Sequence, residues 1–185
     1  MISRSGGFVL VEGTTDKLFI ERVMLSKLVR TQPGLYVKVV EHAQRPSKLV
    51  RSVLGTSARM GIDCVFVADL DDLACCTLGK AKCRQNYPFL DESCVVIVKR
   101  EIESWYLAGL DVEASATLGV QYLPTTDDVT KEDFARLRPK RFRDNLDFML
   151  EILNRFDLGH ALRQNRNTSL TYFCARHCDL DGLVA

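Results

Sequence analysis

Four short apolar runs constrain this chain more than any other feature. They are Gly7 to Val11 (GFVLV), Tyr36 to Val40 (YVKVV), Cys64 to Ala68 (CVFVA) and Cys94 to Val98 (CVVIV). Each is rich in β-branched residues and ends at a polar or charged one. Strands this continuously apolar suit a parallel sheet covered on both faces. Helical patterns fill the gaps. Thr15 to Arg30 places Leu18, Phe19, Val23, Leu25 and Leu28 at helical spacing, and Pro46 to Ser57 carries Leu49, Val50, Val53 and Leu54 behind a first-turn proline. Ala74 to Tyr87 is weaker and reads as partly loop. The alternation predicts an α/β fold with a doubly wound, mainly parallel sheet of about four strands.

Beyond Arg100 the strand signal fades. Glu101 to Leu110 looks helical, a polar stretch follows at Tyr122 to Val129, and helical patterns return at Arg141 to Phe156 and Leu158 to Cys178. The expectation is a single domain over 1–185, with its core at 7–110 and a helical extension at 111–185 covering the sheet. A chain of 185 residues is long enough for such a core. A net charge of +1 excludes a passive, strongly basic DNA-coating protein. No apolar run approaches the roughly 20 residues of a membrane helix. The N-terminal apolar stretch is too short for a secretory signal, so the default expectation is a cytoplasmic protein without a membrane partner. Seven cysteines, an odd number without dense spacing, read as mostly buried thiols in a reducing compartment.

Acidic residues cluster where these strands end. In an open parallel sheet, ligands bind beyond the carboxyl ends of the strands. The first strand ends VEGTTD. Glu12 leaves the strand, Gly13 turns, Thr14 or Thr15 caps a helix, and Asp16 falls in its first turn. Asp16 serves there either as a dipole-compensating carboxylate or as a metal contact. The third strand ends ADLDD, where Asp69 and Asp71 are two apart and face one side if the segment stays extended. Like charges so placed repel unless a cation lies between them, and Mg²⁺ suits a few carboxylates plus waters. The other reading is a set of solvated loop acids. The fourth strand ends VKREIESW. Glu101 and Glu103 do not share a helix face, so at most one is expected to point into the site. Lys99 and Arg100 beside them would meet a phosphate or neutralise the acids.

These residues resemble the TOPRIM domain of topoisomerases, primases and OLD-family nucleases, with Glu12 after strand one and Asp69-x-Asp71 after strand three. VEGTTD, DLDD and EIESWYLA look most like the small stand-alone TOPRIM-like proteins of bacteria and archaea related to the OLD nucleases. In that group a Glu usually stands at the position of Asp16. The resemblance covers roughly residues 7 to 110, with a looser match of NTSLTYF at 167–173 to the group's closing helix. It implies Mg²⁺- or Mn²⁺-dependent phosphodiester chemistry, most simply a nuclease, in phage defence or DNA repair. Asp69 and Asp71 would hold the metal. Glu12 would bind metal or act as general acid/base, and Asp16, Glu101 and Glu103 would complete the ligand set. The implied partner is nucleic acid, DNA ahead of RNA, although no residue pattern separates the two. A partner-dependent subunit of an ATPase-containing complex is the alternative, and a homodimer is also open.

Basic residues gather at Arg136, Arg138, Lys140, Arg141 and Arg143, and again at Arg155, Arg163, Arg166 and Arg176. They are either phosphate contacts, Lys140 included, or solvated helix faces. Phe134, Phe142, Phe148 and Phe156 fit helix packing better than base stacking. Cys75, Cys76, Cys83, Cys174, His177 and Cys178 supply zinc-type ligands at spacings that match no common motif. His42 follows strand two and either approaches the cleft or, as the first expectation, sits at the surface. EGTTDK lacks P-loop spacing, which argues against ATP hydrolysis. Topoisomerase activity would need a further tyrosine-bearing domain for which the chain has no room. A receiver-like phosphoacceptor fits poorly, because only one acid follows strand one.

Overall fold

The computed structural model describes residues 7–25, 36–43 and 45–178. Four strands, β1 (Gly7–Val11), β2 (Val37–Glu41), β3 (Asp63–Asp69) and β4 (Val95–Val98), form one sheet in the order β2-β1-β3-β4. Every pairing is parallel, with Val11 opposite Glu41, Leu10 opposite Phe66 and Asp69 opposite Val98. The fold is therefore α/β with an all-parallel, doubly wound sheet, as the apolar runs predict.

Alternation along the strands builds two cores. Leu10, Val40, Phe66, Ala68, Val95 and Ile97 face Val50 and Leu54 of α2 (Ser47–Met60) and Cys83 of α3 (Cys76–Asn86). Val9, Val11, Val39, Val65, Val67, Val96 and Val98 face the other way. There they meet α1 (Thr14–Phe19), which runs into a π-helical turn at Ile20–Leu25, and the helices that follow β4. Those are α4 (Glu103–Ala108), α5 (Val112–Leu118), α6 (Lys131–Leu137), α7 (Asn145–Leu153), α8 (Leu158–Arg163) and α9 (Thr168–His177).

Several expectations shift by local chemistry. Residues 26–30 of the first helical pattern lie outside the described residues. Ala74 to Tyr87 is helical from Cys76 to Asn86, with 74, 75 and 87 outside the helix. The helical reading of Leu158 to Cys178 divides in two, because Asn165 takes a positive φ of 46° and Asn167 caps α9 by accepting from Leu170 N–H. Arg141 to Phe156 begins its helix only at Asn145, capped by Asp144. Helices α5 and α6 lie outside the helical patterns read from the sequence. Each has a capping side chain: Asp111 for α5, and Thr130 with Asp133 in a reciprocal capping box for α6.

The phenylalanines of the extension do pack on one another and on α1. Phe134 and Phe142 lie 5.1 and 5.0 Å from Phe148, and Phe156 lies 5.2 Å from Phe19. No helix of the described residues is long and apolar enough to cross a membrane.

Candidate metal centre

In the strand order 2-1-3-4 the chain leaves β1 toward one edge and returns on the other side of it. The crevice between the carboxyl ends of β1 and β3 is thus the topological switch point, where doubly wound sheets bind ligands. Glu12 follows β1 there and Asp69 ends β3. The two are joined directly, for Asp69 N–H donates to Glu12 Oε1 at 3.1 Å.

Two further acids come from the opposite core. Asp16 lies in the first turn of α1 and is 4% exposed; Glu103 opens α4 and is 6% exposed. Their approach is fixed by Tyr106, whose hydroxyl donates to Thr15 C=O at 2.7 Å and ties α4 to α1. On its other side α4 is anchored by α9. Trp105 Nε1–H donates to Ser169 Oγ at 2.8 Å, and Asn167 Nδ2–H donates to Ser104 Oγ at 3.1 Å. The NTSLTYF segment thus holds the helix that delivers Glu103.

The electrostatics are those of carboxylates forced together. Burial raises the Asp69 carboxyl to about 9, and the neighbouring Asp16, Glu12, Glu103 and Glu101 push it the same way. Burial raises Asp16 to about 6, reinforced by Glu12 and Glu103. Glu12 and Glu103 are raised as well, again chiefly by burial. Asp16 Oδ1 and Asp69 Oδ1 are buried without any hydrogen-bond partner. A buried oxygen left unsatisfied is costly, and here it is paired with mutual repulsion.

The remaining acids occupy different roles. Strand β3 stops at Asp69 and Asp71 takes a positive φ of 51°, so the two are not alternate residues of one extended segment, although both border the same hollow as Glu12. Asp71 is exposed, yet it still raises the Glu12 pKa. Of the Glu101 and Glu103 pair, only Glu103 points inward. Glu101 Oε2 accepts from Lys131 N–H at 2.6 Å, at the start of α6.

The cations named from sequence are mostly committed elsewhere. Lys99 Nζ pairs with Asp127 Oδ2 at 2.9 Å. Arg100 is exposed at φ 60°, and its carbonyl accepts from Leu70 and Asp71 N–H. Lys140 is exposed in the turn after α6. Arg136, Arg143 and Arg155 pair with Asp133, Asp144 and Glu151 on their own helices or caps, and Arg141 donates to Thr117 C=O. Arg166 is 1% exposed and donates to the carbonyls of Ala108, Leu110 and Leu123. It is a structural arginine, not a phosphate contact.

Lys82 is the cation the sequence did not single out. It sits on α3 and lowers the Glu12 pKa. Together with Glu12, Asp69, Asp71, His42 and Tyr87 it surrounds a hollow of about 240 Å³. Only its place on a helix of weak periodicity could have hinted at this. His42 is 7% exposed, not at the surface, and stacks on Phe66 at 4.2 Å. A larger hollow of about 360 Å³ lies by Lys80, Lys99 and Tyr172, away from the acids. Both of its lysines already have partners.

All seven cysteines are free thiols. Cys83 packs in one core, and Cys174 and Cys178 in the other. The sheet separates them, so they cannot share one zinc.

As the side chains stand, no three His, Cys, Asp or Glu among the described residues close around a single point tightly enough to hold an ion. The donor set itself, all carboxylate with two orphaned buried oxygens, fits a hard divalent cation such as Mg²⁺ or Mn²⁺. No family model, curated protein or solved structure matches the chain.

Proposed function

We propose that the protein is a cytoplasmic, Mg²⁺- or Mn²⁺-dependent phosphodiesterase of TOPRIM type that cleaves nucleic acid, DNA ahead of RNA, in phage defence or DNA repair. One observation carries this reading: four acids from three separate strand ends converge on the switch-point crevice, and two of their buried oxygens lack any partner. A structural carboxylate cluster would satisfy those oxygens from within the chain. A divalent cation satisfies them from outside.

Asp16, Asp69 and Glu103 would hold the ion, with Glu12 beside them and Asp71 at the open rim. When bound, the ion would polarise a phosphodiester and lower the pKa of a coordinated water. Glu12, hydrogen-bonded to Asp69 N–H and kept above the usual carboxylate range by burial, would exchange a proton with the attacking water or the leaving oxygen. Lys82 at the rim would meet a phosphate oxygen.

Titration calorimetry with Mn²⁺ and nicking of supercoiled plasmid test this directly. The expected result is stoichiometric Mn²⁺ binding and metal-dependent nicking, both lost in Asp69→Asn. Binding without nicking would instead favour a module that acts within an ATPase-containing complex. No Mn²⁺ binding at all would overturn the proposal.

A further inference from the structure

The 240 Å³ hollow beside the acids has two unlike walls. One carries Glu12, Asp69 and Lys82. The other is aromatic. His42 lies almost parallel to Phe66, 4.2 Å between centroids, and Tyr87 closes against Phe66 at 5.3 Å and against His42 at 6.4 Å. The His42 ring has one fixed polar contact: Nε2–H donates to Val67 C=O at 3.3 Å. Burial disfavours its charged form, so the wall it builds with Phe66 is uncharged, and Tyr87 is the half-exposed ring of that wall. Asn86 also borders the hollow, four residues after Lys82 on the same face of α3.

A centre that handles only a phosphate needs charge and water. It does not need aromatic rings with an amide beside them. Rings that offer a stacking face, together with an amide that can read an edge, match the chemistry of a nucleobase. A base inside a duplex has both faces stacked and its pairing edge occupied. Entry to a small hollow beside the phosphate site therefore requires a base that is already unpaired or is extruded.

We propose that this hollow is a subsite for an unpaired base. The base belongs to the nucleotide whose phosphate is held at the acids, so single strands and frayed ends are preferred over continuous duplex. The inference rests on the metal-and-phosphate reading of the acid cluster. Lys82 contacts the phosphate side of this nucleotide, Asn86 the edge of the base, and Tyr87 its ring.

The test compares two probes that differ only by a base. With Mn²⁺ saturating, calorimetry measures the affinity of the wild-type protein for deoxyadenosine 5′-monophosphate and for deoxyribose 5-phosphate. The nucleotide is expected to bind about tenfold tighter. Asn86→Ala, at an exposed position, and Tyr87→Leu, which keeps apolar volume against Phe66, should each shrink that gap while Mn²⁺ affinity stays unchanged. A single-stranded oligonucleotide should also outcompete a blunt hairpin of the same sequence. If Mn²⁺ and the sugar phosphate bind but the base adds nothing, or if the hairpin binds as well as the single strand, the subsite is overturned and the metal centre stands. If Mn²⁺ itself does not bind, both fall together.

Discussion

Two polar clusters flank helix α4, and they are built on opposite terms. On one side Asp127 accepts from Lys99 Nζ at 2.9 Å and from both the N–H and the hydroxyl of Thr168, each at 2.8 Å. Beside it Arg166 spends its guanidinium on three backbone carbonyls and lies over the Tyr122 ring. Every charge there has a partner in the chain. On the other side burial raises the pKa values of Asp16, Asp69, Glu12 and Glu103, acidic neighbours push Asp16 and Asp69 further up, and two of their oxygens have no partner. Buried polar groups that satisfy each other hold a fold together; a cluster that repels itself marks a place where something else belongs. The first cluster mixes signs and closes on itself, whereas the second gathers carboxylates alone.

Substitutions should split the clusters by sign. The largest effect is expected at Arg166→Met, which strips the partners from the Ala108, Leu110 and Leu123 carbonyls and should cost about 3–5 kcal/mol in urea unfolding. Asp127→Ala breaks the pair with Lys99 and frees the start of α9, at a cost of about 2–3 kcal/mol by the same measurement. Asp69→Asn should do the reverse. Removing one repelling carboxylate is expected to stabilise the metal-free protein by about 1–3 kcal/mol while abolishing any stabilisation by Mn²⁺. Were Asp69→Asn to destabilise as Asp127→Ala does, the acids would belong with the structural network.

A pH dependence tests the same contrast without any substitution. In the unfolded chain these carboxyls titrate near their ordinary values of about 4. Folding raises Asp16 to about 6 and Asp69 to about 9. Between those limits the folded state holds more protons than the unfolded one, so stability falls as pH rises. The contribution is complete below about pH 4 and is lost through about pH 6 and then about pH 9. His42 and His177, whose charged forms burial disfavours, act in the opposite sense. The readout is therefore the difference from Asp69→Asn: the thermal midpoint of metal-free wild type should fall from pH 5 to pH 8 relative to that variant, and Mn²⁺ should flatten the slope. A wild-type profile parallel to that of Asp69→Asn would mean the acids are not under strain.

Much of the architecture was legible because strands and long helices write their burial into periodicity. The four β-branched runs fixed where the strands lie to within a residue or so, and each acid that follows a strand could be placed at the carboxyl edge before any contact was known. Glu12 and Asp69 were legible in this way. The inward choice of Glu103 over Glu101 was only half so, since helical spacing says that one of them turns away but not which. For His42 the sequence left the cleft and the surface both open, and only Phe66 and Tyr87, arriving from other elements, decide for the cleft.

Taken alone, the order of residues determined a parallel α/β sheet with acids at its strand ends, because side-chain alternation and chain direction are local properties. Only the tertiary structure decided which acids meet, that Asp69 donates to Glu12 across the switch point, that Arg166 and Lys99 serve the scaffold, and that Lys82 faces the acids. Those outcomes depend on which strands become neighbours and how helices cross the sheet, and both are set by packing between segments far apart in sequence.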